Sequence, residues 1–354
     1  MKNLKLKTAL LPLVIAMPVF QASADDNVSK AQLEKQLEVI SKRIAALESA
    51  EGKAEKKSDG KTQFNVYGTL RPTFGVTSGD SEDVWDVGDA LSRVGFATSR
   101  ELGNGMTAFA KGEFKVNIQL NGDFGEARKA YVGLKGDFGR VAIGKQATMQ
   151  YNIIADPVDI FNRASTPLAY DDASPFRQQQ LVSYSKSFGN LAFSMAGQFK
   201  KEDSLNEGSD LFNAGVKYSG DGFTLGAAYL TKDLAGIDEN TFGVSMSKNV
   251  GDHYVALSYQ DIDRGGNGQD RSSLDVVGAF KISDSYKLKL GYSNFADDLG
   301  AAETAEVTRI NTTLEWHLDN DFYTFVEYQN NNFKEREDNN QVMVGMRYNF
   351  DYKF

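Results

Sequence analysis

The sequence contains no cysteine, so neither a disulfide framework nor a thiolate metal site is open to it. Histidine occurs only as His253 and His317, in GDHYVALSY and EWHLDN. No Ser/acid partner motif accompanies either, which removes the basis for a histidine-dependent hydrolase and for a His-rich metal centre. Long apolar runs are also missing. The longest, from Thr8 to Phe20, spans about 13 residues, whereas a helix needs about 20 to cross a bilayer core. With a mean hydropathy of -0.41, the chain does not read as a helical membrane protein. Excess positive charge is lacking too: the formal net charge is -9, which argues against nucleic acid as a partner.

What the chain does have is 33 Gly, 23 Phe and 15 Tyr against 6 Pro, a mixture suited to many strands separated by tight turns. Its first residues, MKNLKLKTALLPLVIAMPVFQASADD, combine Lys2, Lys5 and Lys7 with a short apolar core and the small-residue site Ala22-Ser23-Ala24. They read as a secretory signal peptide over 1–24, cut after Ala24. Its removal makes the mature chain more acidic still.

In 25–50, Leu33, Leu37, Ile40, Ile44 and Leu47 recur at alternating four- and three-residue spacing, flanked by charge. This is a heptad seam of about two heptads, readable either as a short coiled coil in an oligomer or as an isolated amphipathic helix. Residues 51–61, with Gly52, Gly60 and a charge cluster, read as a linker.

From 62 to 354 the periodicity is two. In QFNVYGTLRPTFGV, Phe64, Val66, Leu70, Phe74 and Val76 fall on one face and Asn65, Tyr67, Thr69, Arg71 and Thr73 on the other. VTRINTTLEWHLDN sets Ile310, Leu314, Trp316 and Leu318 against Arg309, Asn311, Thr313, Glu315 and His317. The terminal stretch alternates Val342, Val344, Met346, Tyr348, Phe350, Tyr352 and Phe354 with mostly polar residues. Short turns such as SGDG and NVGD alternate with long polar connections, giving hairpins with a short-turn end and a long-loop end. About 16 strands result.

A soluble sandwich would alternate as well, burying its apolar face against a second sheet. Here the polar face carries interior charge, including Arg71, Arg93, Lys287 and Lys289, and the apolar face turns aromatic toward its end. Those are the requirements of a transmembrane antiparallel β-barrel: closure pairs every backbone group in lipid, the outer face is apolar with aromatic girdles, and the lumen is polar. A barrel of about 16 strands is wide enough to hold an aqueous channel.

One connection, MQYNIIADPVDIFNRASTPLAYDDASPFR, is too long for a turn and too apolar for a solvated loop. Residues 148–177 are therefore expected to fold inward against the barrel wall and narrow the pore. The loop carries Asp156, Asp159, Asp171, Asp172 and Arg163, while inward-phased Arg71, Arg93, Lys111, Glu113, Lys115 and Arg128 precede it on the wall strands. Acid on the loop facing base on the wall sets a transverse field across a narrow wet gap. For Arg128 the phase is ambiguous, because Lys129 and Tyr131 compete for the same face.

The stretch FNVYGTLRPTFG, the run ARKAYVGLKGDFGRVAIGKQ, the acidic connection after it and the strand ending in Phe354 resemble the general diffusion porins of Gram-negative outer membranes. The resemblance implies a homotrimer of barrels, each with its own pore constricted by its third loop. It also implies that Arg93, Arg128 and Glu113 match wall positions of the pore eyelet, that Arg177 is a further wall arginine, and that Asp156 and Asp159 match the loop acids. The loop reads DPVDIFNRAS where enteric relatives carry Pro-Glu-Phe-Gly-Gly, and the heptad segment is not part of the usual pattern. Phe354 resembles the terminal aromatic read by the outer-membrane assembly machinery.

The implied function is passive diffusion of small hydrophilic solutes and ions, without catalysis, cofactor or metal, and with a mild cation preference from the interior aspartates. The partners are outer-membrane lipid and further copies of the chain. A sugar- or phosphate-specific channel would call for a ladder of aromatics or a dense Arg/Lys cluster along the lumen, neither evident from sequence. An adhesin or phage receptor acting through the long loops is the alternative of a different class.

Overall fold

The computed structural model describes residue 42 and residues 62–79, 82–103, 105–120, 122–162, 168–170, 175–199, 211–233, 238–265, 270–297, 306–334 and 337–354. The chain divides into two units, Met1–Ser58 and Asp59–Phe354. The signal peptide, the heptad seam from Leu33 to Leu47 and the linker lie outside the described residues.

The second unit is a single sheet of strand segments β1 (Thr62–Leu70), β2 (Pro72–Ser78), β3 (Val84–Asp89), β4 (Arg93–Gly103), β5 (Met106–Val116), β6 (Phe124–Gly136), β7 (Gly139–Ala147), β8 (Arg177–Phe188) and β9 (Leu191–Gln198). It continues through β10 (Leu211–Gly220), β11 (Phe223–Asp233), β12 (Asp238–Val250), β13 (His253–Arg264), β14 (Arg271–Lys281), β15 (Tyr286–Asp297), β16 (Val307–His317), β17 (Phe322–Phe333) and β18 (Asn339–Lys353).

All pairings are antiparallel. β18 pairs with β1 through Val66↔Tyr352 and with β2 through Val342↔Val76, so the last strand meets the first and the sheet closes. Because β1 and β2 are one strand interrupted at Arg71, and β3 and β4 one strand interrupted at 90–92, the eighteen segments make sixteen strands. Phe64 and Phe354 exchange backbone N–H···O bonds of 3.2 and 2.8 Å at the seam.

The distribution of side chains is inverted relative to a soluble fold. Along β16, Ile310, Leu314 and Trp316 are exposed while Asn311, Thr313 and Glu315 are buried. On β18, Val342, Val344, Met346, Tyr348 and Tyr352 are exposed, as is Phe354 just after it, as the alternation predicts. Water-facing apolar side chains on this scale would be costly, so the outer face is matched to lipid. Rings gather along the short-turn rim, where Phe64 stands 6.3 Å from both Phe96 and Phe354, Tyr286 6.4 Å from Trp316 and Tyr218 5.5 Å from Phe223.

The short turns use the residues their geometry requires. Asp221 and Gly222 both take positive φ, 49° and 76°, the pattern of a two-residue turn whose twist matches the flanking strands. Both ends of the barrel chain, Thr62 and Phe354, lie at this short-turn end.

If the apolar face meets lipid, Val344→Arg is expected to destabilise the barrel by about 2–4 kcal/mol near the midplane. Urea unfolding in lipid vesicles measures this, and an unshifted midpoint would remove that face from the hydrocarbon.

Candidate functional site: a constriction built by an inserted loop

After β7 the chain leaves the wall and turns into the lumen. Gln150–Ala155 form a six-residue π-helical turn, with the Asp156 N–H donating to the Tyr151 carbonyl at 2.8 Å. Its apolar side chains pack inward: Met149, Ile153 and Ile154 lie against Leu181, Ala196, Leu211, Ala228 and Leu230. Farther along, Val158, Phe161, Leu168 and Tyr170 pack with Ala256 and Val277. The apolar residues that made this connection unsuited to solvent are therefore a small core between loop and wall.

Glycines make room for it. A Cβ on Gly226 would approach Ile153 to 2.6 Å, one on Gly243 would lie 2.5 Å from Gln150 Nε2 and 2.9 Å from Ile154, and one on Gly291 would meet the Phe161 ring at 2.6 Å. Backbone contact this close is available only where the wall has no side chain.

Polar wall groups satisfy the loop backbone, which would otherwise carry unpaired donors and acceptors. The Gln150 N–H donates to Asn213 Oδ1 (2.9 Å), Ser245 Oγ donates to the Ile153 carbonyl (2.6 Å) and Tyr254 OH donates to the Pro157 carbonyl (2.7 Å). Lys289 Nζ reaches both the Ile160 carbonyl (2.7 Å) and Glu315 (2.5 Å). Asn162 is held on three sides, by Glu327, Glu315 and the Tyr323 hydroxyl at 3.0, 2.9 and 2.8 Å. The Ala169 N–H donates to Asp275 at 2.9 Å. The loop thus lies against β8–β17, and the β1–β7 wall faces it across the lumen.

On that facing wall, Arg71 is buried at the break between β1 and β2, its N–H donating to Ser92 Oγ (2.8 Å) and its Nε to Thr69 Oγ1 (3.2 Å). Glu113 accepts from Tyr67 OH at 2.9 Å and Arg128 Nε at 3.1 Å, with Lys129 Nζ at 4.0 Å. The competition between Arg128 and Lys129 for one face is resolved by a bulge. Glu113 pairs with Lys129 and Phe114 with Ala127, so Arg128 is an extra residue and both cations reach the same carboxylate. Arg93 pairs in register with Lys115, which is exposed, and its Nη1 lies 3.5 Å from the Leu91 carbonyl. Lys111 Nζ stands 4.6 Å from the centre of the Tyr67 ring.

On the loop side, Tyr151 OH donates to Asp159 Oδ2 at 2.8 Å. The Tyr151 and Phe176 rings lie 4.9 Å apart, and the Arg177 guanidinium stands 5.6 Å from the first. Burial, and then the neighbouring Asp159 charge, raise the Asp156 carboxyl above the ordinary aspartate range against the pull of Lys217 and Lys129. Arg163, Asp171 and Asp172 lie outside the described residues.

The sequence reading named Lys129 only as a competitor of Arg128 and gave Tyr151, Tyr323 and Arg347 no place at this level. Arg347 donates to Tyr323 OH (3.0 Å) and Asn349 Oδ1 (2.9 Å), and its inward phase on β18 was the available signal. The dense basic cluster not evident along the chain is present in space: Arg71, Arg93, Arg128, Lys129, Arg177 and Arg347 come from five different segments or their junctions.

Closed antiparallel barrels that turn a polar wall inward and hold a loop of their own chain in the lumen are channel proteins of the outer membrane. The chain belongs to the Gram-negative porin family, whose model matches residues 44–352. A monosaccharide porin of Halomonas sp is 26% identical over 279 residues, covering 70% of this chain and 72% of the relative. The anion-selective porin from Comamonas acidovorans has a similar structure, with a TM-score of 0.68 at 17% identity over 82% of this chain and all of the other. OmpT of Vibrio cholerae, folded in vitro in its trimer form, matches at a TM-score of 0.65 and 19% identity, over 82% of this chain and all of its own.

Two outcomes test the site. Gly243→Val is expected to push Gln150 and Ile154 off the wall, lowering stability by about 1–3 kcal/mol and changing single-channel conductance. An unchanged conductance would mean that this contact does not position the loop. On acidification, Asp156 takes up its proton while ordinary aspartates, near pH 4, are still ionised. Anion preference, read from the reversal potential in a KCl gradient, is therefore expected to rise beginning above that pH, and Asp156→Asn should remove this step.

Proposed function

We propose that the protein is a water-filled channel for passive diffusion of small hydrophilic solutes and ions across the outer membrane, acting without chemistry on what it passes. The observation that carries this reading is the inserted loop itself. It is pinned to one half of a polar lumen, so that Asp156 and Asp159 face a bank of arginines across the remaining opening. Small dipolar solutes can align in such a field, while apolar ones must shed favourable hydration without compensation.

The interior aspartates, with the acidic balance of the whole chain, led to an expected mild cation preference. Selectivity, however, is set where the pore is narrowest. There, Arg71, Arg93, Arg128, Lys129, Arg177 and Arg347 outnumber Asp156, Asp159 and Glu113 among the described residues, and Glu113 is already engaged by two of the cations. We therefore assign the constriction a preference for anions.

A homotrimer, each subunit with its own pore, accords with the trimer form of OmpT, which has a similar structure. The heptad segment would be periplasmic, and Phe354 would serve assembly as well as closure. Residues 1–24 would direct export.

Planar-bilayer recording tests the reading. Conductance is expected in steps of three, with Arg128→Gln and Arg177→Gln moving the reversal potential toward cations and Asp156→Asn with Asp159→Asn moving it toward anions. No conductance would end the channel reading, and unmoved reversal potentials would displace the constriction from these residues.

A further inference from the structure

Between the constriction and the short-turn end, the wall formed by β1 and β4–β7 repeats one three-tier arrangement. A glycine leaves the wall bare, an aromatic ring from a neighbouring strand lies over it, and a cation stands over the ring. In the first stack, a Cβ on Gly95 would run into the Tyr67 ring, and Lys111 Nζ stands 4.6 Å from that ring's centre. In the second, a Cβ on Gly133 would run into the Phe109 ring, over which the Arg140 guanidinium stands at 4.4 Å. Tyr131 flanks it, edge-on to Phe109 at 6.3 Å and 5.4 Å from the same guanidinium. The registers Tyr67↔Gly95, Lys111↔Tyr131, Phe109↔Gly133 and Lys135↔Arg140 place both stacks on the face that carries Glu113.

What distinguishes these two cations is how their charge is balanced. Arg128 and Lys129 meet Glu113, whereas neither Lys111 nor Arg140 has a carboxylate within ion-pair distance among the described residues. A ring face holds a cation in place by its quadrupole without neutralising it or occupying the N–H edge of a guanidinium. Both side chains are only half-buried, and the Arg140 guanidinium shares part of its donor edge with the Tyr131 hydroxyl, leaving its other donors for the lumen. On β5, Glu113, Lys111 and Phe109 descend toward the short-turn end in steps of about 6–7 Å.

We propose that Lys111 and Arg140 are two binding stations for small organic carboxylates on the exit side of the constriction, Arg140 offering a two-pronged donor edge and Lys111 a point charge. A carboxylate released by the arginine bank meets an unneutralised cation at each step, so it is handed on while remaining hydrated on its other side. The proposal rests on the reading of the chain as an open channel and goes beyond it in naming a site and a solute class below the narrowest point.

The test is single-channel recording of the full-length protein in KCl, with succinate or its neutral diamide added from the short-turn side and each variant's current normalised to its own KCl conductance. Succinate is expected to reduce the current in a saturable way and the diamide is not. Arg140→Gln and Phe109→Leu, the second removing the ring but not the charge, are each expected to weaken the effect by about threefold or more. Equal effects of succinate and the diamide, or a succinate effect unchanged in both variants, would overturn the stations while leaving the channel intact. Absence of KCl conductance in the parent protein would overturn the channel reading and the stations with it.

Discussion

Every backbone N–H and C=O that enters hydrocarbon needs a partner from its own chain, because lipid offers none. That constraint fixes the architecture. A sheet satisfies it only if the last strand returns to the first, as β18 does along β1 and β2. Closure then divides every strand's side chains into a lipid face and a lumen face. The two sets of residues obey opposite rules, which is why Ile310 and Leu314 are exposed while Asn311 and Thr313 between them are buried.

The lumen would be a plain polar tube without the inserted loop. Inserting it recreates, inside the barrel, the ordinary problem of burying a polypeptide. Ile153, Ile154 and Phe161 need apolar surface and close approach, which Gly226, Gly243 and Gly291 allow. The loop backbone needs partners, which Asn213, Ser245, Tyr254 and Lys289 supply. One half of the wall is consumed in meeting these needs. The charges on the other half are left to act on whatever passes.

Much of this is legible in the sequence, because a period of two reports the face of each residue directly. The strand count and the lipid face of the terminal stretch follow from it, and the inward fold of residues 148–177 follows from the length and apolar content of that connection. The bulge at Arg128 is not legible: one extra residue changes the phase, and nothing in EARKAYVGL marks where it falls. The basic cluster is hidden for another reason. Arg71 and Arg347 lie far apart in sequence and become neighbours only through the β2–β18 register. The glycine cradle is likewise invisible, since a glycine that admits a loop and one that ends a strand are the same letter.

The seam between Phe64 and Phe354 bears on the order in which the molecule can be made. The first strand waits for the last residue of the chain before its edge is paired, so the costliest loop closure comes at the end. Asn162, moreover, is clamped by Glu315, Tyr323 and Glu327, which belong to strands near that end. The loop therefore gains its final anchor only when the barrel is nearly complete. Closing the barrel and fixing its filter thus depend on the same few strands at the end of the sheet.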